Sequence, residues 1–509
     1  MRVRVDWRSS CSLTGTVLKW LAVPLLAPAA LALLDGDDPV PLVVAIAVTI
    51  VVGIGLEQLS AERELGQRES FLMVALTWLG VAFVGAIPFF LAGLGSGGES
   101  SFAGVVDGPV NALFESMSGL TTTGATIMNG WDFEHQSRAI LLWRQLIQWL
   151  GGLGILIVAI GLLSHLMVGG AQLMETETQT RNVRKLRPHI SETARLIWTI
   201  YVGITVLAVV VFYGLHLLGL APSMTLFNAV SHALTSVATA GFSPEPQSVG
   251  AFAPIVQWSI MPFMIVGSTN FVLLYYITQG EFERPLGSEE LRFYLGTLVF
   301  FGAVVVAILA FDPEIDKGLE PTIRHGLFNV VSLVTTTGYA STDFNLWTPG
   351  AKHMLFLCMF LGGMAGSTTC SIKSLRWLVV LKAFKRNLFT AVHPDAVRPL
   401  RVSGGVVDEE TINDIFGYVM LAIVIFFVLT IFLVVDAARA GQFVGEFEAL
   451  GAAASIFLNI GPAFGMAGPM DNYAGFPASS RAVMIVMMWI GRIEIVPVLV
   501  LLLPAFWRS

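Results

Sequence analysis

Four short clusters carry the residue types that can do chemistry in this sequence: Thr122-Thr123-Gly124, Thr239-Ala240-Gly241, Thr336-Thr337-Gly338 and Asn459-Ile460-Gly461. The chemistry they suit is ligation without charge. A cation leaves water only where oxygens replace its hydration shell, and rings of backbone carbonyls do this in potassium filters. Glycine reaches positive φ without steric penalty, so successive carbonyls can turn to one side. Threonine adds a hydroxyl, as a further ligand or as a hydrogen bond for the strand. No Asp or Glu lies within the four clusters. Nearly neutral oxygen sites favour a large monovalent cation over calcium, which prefers carboxylates. A single cluster of this kind is an ordinary loop end or helix contact; four related ones are not.

The clusters belong to one repeated unit. Aligned on Gly124 and Gly338, Leu113-Phe114 meets Leu327-Phe328, Ser118 meets Ser332, and Thr121-Thr122-Thr123 meets Thr335-Thr336-Thr337. Aligned on Gly461, Ser455 falls at the Ser118 position. In the second unit Leu226-Phe227 lies four residues further upstream, as if its helix had an extra turn. The segments 107–130, 221–243, 321–341 and 445–466 are semi-apolar and too short to span a membrane. Each is expected to be a re-entrant half-helix followed by an extended strand, with the negative end of the helix dipole aimed at the cluster.

The elements that must position these strands are transmembrane helices. Of 509 residues, 55% are hydrophobic and 13% charged, with a mean hydropathy of +0.74. That charge is about half the roughly 25% usual in soluble domains. Apolar runs of about 20 residues recur along the chain. Spans are expected near 17–35, 39–57, 70–93, 138–166, 192–219, 251–279, 290–311, 350–385, 411–436 and 479–506. The first could pass for a signal peptide, but the second follows so closely that a helical hairpin fits better. Basic residues cluster at Arg181, Arg184, Lys185 and Arg187, and again at Lys382, Lys385, Arg386, Arg398 and Arg401. Both connections are therefore expected on the cytoplasmic side. The stretches 94–137 and 220–263 contain no Lys or Arg and belong outside, which puts both termini inside.

The expected fold is an all-α polytopic membrane protein with four pseudo-repeats of helix, pore half-helix, filter strand and helix around one pore. Two N-terminal helices (1–65) precede repeats at 66–170, 171–285, 286–405 and 406–509.

Other residues weigh less. The span 350–385 is interrupted by Gly362-Gly363-Met364-Ala365-Gly366-Ser367-Thr368-Thr369, poor helix material. It is either an intramembrane loop that closes the pore or a close contact between helices. Arg492 lies deep in the last span, where it must face protein or a watery cavity. It is either a fixed positive charge on the pathway or the salt-bridge partner of Glu494. His232 reads as a packing or capping residue rather than a ligand, and Trp143 and Trp149 as interface or packing aromatics. Three cysteines form no disulfide framework, and neither metal spacing nor a Walker P-loop is present. The scattered histidines argue against a membrane-embedded enzyme, and repeats running in one direction argue against an inverted-repeat carrier.

The motifs TTTGAT (121–126), VATAGFS (237–243), VTTTGYAS (334–341), NIGPAFG (459–465), GGMAGSTTCSIK (362–373) and GRIE (491–494) together resemble the Trk/Ktr/HKT superfamily of potassium transporters, in its TrkH type. The resemblance covers roughly residues 15–507. It implies K⁺ as the transported ion with no organic cofactor, uptake across the bacterial cytoplasmic (inner) membrane, a homodimer in lipid, and a cytosolic TrkA-type nucleotide-binding ring as partner. No nucleic acid is implied. It adds Lys373 to a gating set of Gly362, Gly363, Gly366, Ser367, Thr368, Thr369 and Arg492, with the arginine pointing into the path below the filter. In the family a serine at the first filter glycine accompanies sodium permeation; here that residue is Gly124. The chain departs from the family at Cys370-Ser371, where glycine is usual, and at Asn459-Ile460 and Pro462 in the fourth strand. An asymmetric filter and a stiffer loop are expected. Coupling to protons or sodium through the same pore is the alternative to passive uptake.

Overall fold

A computed structural model of the chain describes residues 5–60, 66–95, 102–161, 190–311 and 318–507. The basic cluster Arg181, Arg184, Lys185 and Arg187 lies outside the described residues. Seven described helices are long and apolar enough to cross a membrane. Three further stretches that read as single spans in the sequence are broken helices.

The N-terminal pair, Trp7–Asp35 and Val40–Glu57, forms the expected hairpin. Its first helix starts ten residues before the expected Val17, because Asp6 caps it by accepting from the Arg8 and Ser9 N–H groups. Gly15 and Gly53 let the two backbones touch: a Cβ on Gly15 would lie 2.6 Å from the Gly53 carbonyl oxygen. Lys19 and Glu57 close the pair at 2.7 Å.

Each repeat then supplies a spanning helix, a short buried helix and a return helix. The four short helices are Phe102–Leu120, Leu226–Val237, Leu319–Val334 and Glu446–Phe457. All end just before the cluster residues, so their C-terminal dipoles meet the four strands. The second is not longer than the others; the extra residues upstream of its cluster lie within its helix Leu226–Val237, whereas the first and third helices begin well before their Leu-Phe pairs.

The breaks have local causes. The stretch expected as one span over 251–279 is two helices, Pro254–Gly267 and Phe271–Thr278, bent by 104°. Ser268-Thr269-Asn270 forms the corner, and the Asn270 side chain accepts from the Val272 N–H to start the second piece. The last span breaks at Glu494, which takes φ 71° between Ala478–Ile493 and Ile495–Leu502. Pro497 explains this: its ring excludes a continuous helix through the Ile493 carbonyl. The third break, between Pro349–Cys358 and Ser374–Val392, is the expected interruption, but it runs from Met359 to Lys373 rather than only over 362–369.

On one side of the helical body a hairpin pairs Leu400–Val402 with Gly405–Val407. Its apolar residues pack on the helices Ser374–Val392 and Glu409–Arg439. Lys382 pairs with Glu289 and donates to the Arg401 carbonyl at 2.7 Å, and Arg386 meets Glu409 at 2.5 Å. Three residues of the second basic cluster, Lys382, Arg386 and Arg401, are thus tied together around this hairpin.

Candidate ion pathway

The four glycine strands share one backbone signature. Thr122 and Gly124 take φ 52° and 77°, Thr239 and Gly241 49° and 80°, Thr336 and Gly338 52° and 81°, Asn459 and Gly461 55° and 109°. Positive φ at alternate residues is rare for anything but glycine. The same alternation recurs in all four strands.

The strands also touch in cyclic order. A Cβ on Gly124 would lie within 3.0 Å of the Ala240 carbonyl oxygen, one on Gly241 of Thr337, one on Gly338 of Ile460, and one on Gly461 of Thr123. Repeat one therefore abuts two, two abuts three, three abuts four, and four returns to one. All four glycines open into a single cavity of about 140 Å³, lined also by Glu245 and Asp471.

The serines aligned in the sequence have a common role. Ser118 donates to the Ala125 carbonyl, Ser332 to Tyr339 and Ser455 to Gly461, each at 2.6 Å. Thr121 pairs with Thr123, and Thr335 with Thr337, at 2.7 Å. The fourth strand differs as its sequence suggested. Asn459 donates to the Thr123 hydroxyl at 2.7 Å and to the Met488 carbonyl at 2.9 Å, locking strand four to strand one.

Beneath the strands lies the loop Met359–Lys373. It occupies the carbonyls freed by the bend: the Met364 N–H donates to Ser268 at 2.9 Å, and the Thr368 hydroxyl to Gly267 at 2.9 Å. It also reaches the strands. Thr368 and Thr239 pair hydroxyls at 2.8 Å, and the Cys370 N–H donates to the Thr336 hydroxyl at 3.2 Å. Gly362 and Gly363 are packed against backbone, the first against Cys370 and the second against Ser268. Gly366 takes φ 75°, and its carbonyl accepts from the Phe271 N–H at 3.1 Å. Ser367 and Thr369 pair hydroxyls at 2.7 Å. Ser371, where glycine was expected to be easier, takes φ 60° and donates to the Met359 carbonyl at 2.8 Å.

Arg492 is 1% exposed and sits against this loop. It donates to the Thr368 carbonyl at 2.8 Å, the Cys370 sulfur at 2.9 Å and the Gly151 carbonyl at 2.9 Å. Its salt bridge to Glu494, one of the two readings of the sequence, is not formed. Glu494 instead binds Arg376 at 2.7 Å and Lys373 at 3.6 Å. The break at Glu494 turns the two side chains apart. Lys373, the last residue of the loop, is thereby tied to the final helix.

Sequence reasoning missed several residues that hold this architecture. Glu115 and Arg144 form a buried pair at 2.6 Å behind the first strand, so the region stays neutral overall. Tyr473 donates to the Gly461 carbonyl at 2.8 Å. Tyr339 pairs with Thr235 across repeats. Polar residues in apolar helices were the available signal for Glu115 and Arg144; nothing local marked the tyrosines. His232 is a buried packing residue as expected, bonded to the Asn228 carbonyl at 2.7 Å and the Ser243 hydroxyl at 3.1 Å. Trp143 and Trp149 likewise bond the Gly85 carbonyl and the Thr205 hydroxyl.

Spanning helices, broken helices and four re-entrant segments closing a ring define a polytopic helical membrane protein. A family model described as a cation transport protein, TrkH, matches residues 42–311 and 297–508, and the chain belongs to this family. It is 31% identical to the Trk system potassium uptake protein TrkH of Halomonas elongata over 504 residues, 97% of this chain and 98% of that one. It is 32% identical to the TrkH of Salmonella typhimurium over 449 residues, covering 88% and 87%. The crystal structure of the potassium transporter TrkH from Vibrio parahaemolyticus superposes with a TM-score of 0.86 at 29% identity, over 99% of this chain and 100% of that one. These relatives are transporters.

Proposed function

We propose that the chain takes up potassium across the cytoplasmic membrane through a filter built from Thr122 to Gly124, Thr239 to Gly241, Thr336 to Gly338 and Asn459 to Gly461. The observation that carries this reading is the alternation of positive φ in all four strands, together with the cyclic contact of their glycines. Carbonyl rings without a net charge replace the loosely held water of K⁺ better than that of Na⁺. The Thr122 hydroxyl lacks a protein partner among the described residues and is available to the ion at one end of the ring.

The loop Met359–Lys373 is the gate. It takes the hydroxyls of Thr239 and Thr336 and is held by Arg492, whose fixed charge also repels cations below the filter. The basic end of the molecule, with the 400–407 hairpin, faces the cytosol with both termini, where a regulatory ring of TrkA type acts on the loop. The protein works as a homodimer of pores, each made from repeats 66–170, 171–285, 286–405 and 406–509.

Purified protein in proteoliposomes should pass K⁺ and Rb⁺ faster than Na⁺ and Li⁺. Gly124→Ser should relax that discrimination, since its Cβ meets the Ala240 carbonyl at a backbone angle that favours glycine. Equal Na⁺ and K⁺ flux in the unaltered protein would sink the reading. Imposed proton or sodium gradients that leave K⁺ flux unchanged would support passive uptake over coupling.

A further inference from the structure

Filter two lacks the strut that the other three have. Six residues before each filter glycine stand Ser118, Ser332 and Ser455, each bonded to a carbonyl of its own strand. In repeat two this position is Thr235, whose hydroxyl bonds the Ser231 carbonyl at 2.9 Å and pairs with Tyr339. Support for strand two comes instead from the helix Arg138–Gly161 of repeat one. The Gln148 amide donates to the Ala240 carbonyl at 2.6 Å and accepts from the Phe242 N–H at 3.0 Å. One planar group thus straddles Gly241 and satisfies both its neighbours. One helical turn away, Arg144 donates to the Ser243 carbonyl at 2.8 Å and lies 3.5 Å over the Phe242 ring. Arg144 is in turn paired with Glu115, which accepts from the Ile127 N–H of strand one at 3.0 Å.

We infer that Gln148 is a positioning residue for ion selectivity, fixing the carbonyl of Ala240 from a neighbouring repeat while Arg144 ties strands one and two into one frame. The inference rests on the filter reading above. Two features make the amide specific. A buried carbonyl and a buried N–H are both served by a side chain with one donor and one acceptor face. The oxygen it holds is also the one that Gly124 packs against, so a loosened Ala240 changes the contact between repeats one and two. Strands one, three and four keep their serines, so the effect is local to one quadrant of the ring.

The test is the K⁺/Na⁺ permeability ratio of purified protein in proteoliposomes. Gln148→Leu removes both bonds at similar volume, and the ratio should fall at least about fivefold, the equilibrium effect of losing even one ordinary hydrogen bond. Gln145→Leu is the control: this neighbouring glutamine is equally buried but has no side-chain partner among the described residues, and its ratio should match wild type. Gln148→Glu keeps the acceptor and loses the donor when ionised. Its ratio should fall in alkaline buffer and recover in acid, where the protonated carboxyl can donate to Ala240 again. A purely structural glutamine would lower the yield of folded protein without moving the ratio or making it depend on pH. A folded Gln148→Leu protein with wild-type selectivity overturns the inference. If that variant does not fold, a pH-independent wild-type ratio in Gln148→Glu does so. A wild-type protein that does not discriminate would instead remove the filter reading itself.

Discussion

The filter strands and the loop beneath them use the same residue types, glycine, serine and threonine, under different constraints. In the strands each glycine is pressed against the backbone of the next repeat, and serines, Gln148 and Tyr473 hold the carbonyls from behind. Moving one strand means moving its neighbour. The loop also packs Gly362 and Gly363 against backbone, but its bonds to the strands are few: two threonine hydroxyls, with one arginine holding it from the last helix. Packed cores with many shared contacts are rigid, while elements with two sets of comparable partners can switch. Under the proposed function, the comparison shows how selectivity and gating could be divided between adjacent segments of similar composition.

The comparison breaks most severely if a filter glycine tolerates a side chain. Gly241→Ala combines φ 80° with a Cβ against the Thr337 carbonyl, so it should cost about 1–3 kcal/mol or more in local strain. We expect loss of K⁺ discrimination, measured as Rb⁺ against Na⁺ uptake, or loss of folded protein by size-exclusion chromatography. A well-folded, fully selective variant would show that the ring is not tightly packed.

Next in size is the loop. Shortening it within Gly362–Thr369 should raise K⁺ flux and reduce dependence on a cytosolic partner, because the threonine hydroxyls of strands two and three are released. Unchanged flux and regulation in a folded deletion variant would assign the segment to packing alone.

Arg492→Ala removes three hydrogen bonds to loop and backbone and one fixed charge. Hydrogen bonds from a charged group are worth about 1.5–3 kcal/mol, so open probability or conductance should rise roughly tenfold or more in single-channel recordings. Arg492→Lys keeps the charge but not the planar fork. It should stay closer to wild type if electrostatics dominates, and approach Arg492→Ala if the geometry of the three bonds does.

The smallest effect is expected at the cavity into which the four glycines open. Asp471 lines the cavity above the filter, and burial, reinforced by nearby Asp343, raises its pKa above the ordinary aspartate value. A raised carboxyl pKa means that the charged form is the disfavoured one. As pH falls, Asp471 therefore loses its charge earlier than a free aspartate does. Uptake at low K⁺ should weaken modestly over that range, and Asp471→Asn should lower uptake at neutral pH while flattening the dependence. Identical pH profiles for the two proteins would exclude a role in attracting the ion.

Much of this was legible in the sequence because it depends on local patterns. Apolar runs long enough to span, short Ser/Thr/Gly segments between them, and the spacing of Ser118, Ser332 and Ser455 from their glycines are properties of short stretches. They determined a helical membrane protein with four related re-entrant units and a broken span at Gly362–Thr369. Pro497 was a local signal for the break at Glu494 that the expectation of one span over 479–506 passed over. Only the tertiary structure decided which groups meet. Glu494 pairs with Arg376 and Lys373 rather than Arg492, because the break rotates it away from a neighbour two residues distant. Gln148 serves strand two from repeat one, 92 positions away from Ala240 in the chain. The cyclic order of the strands exists only once four hairpins close on one another. Periodicity and steric preference act over a few residues, whereas a buried donor takes whichever acceptor the packed fold brings within reach.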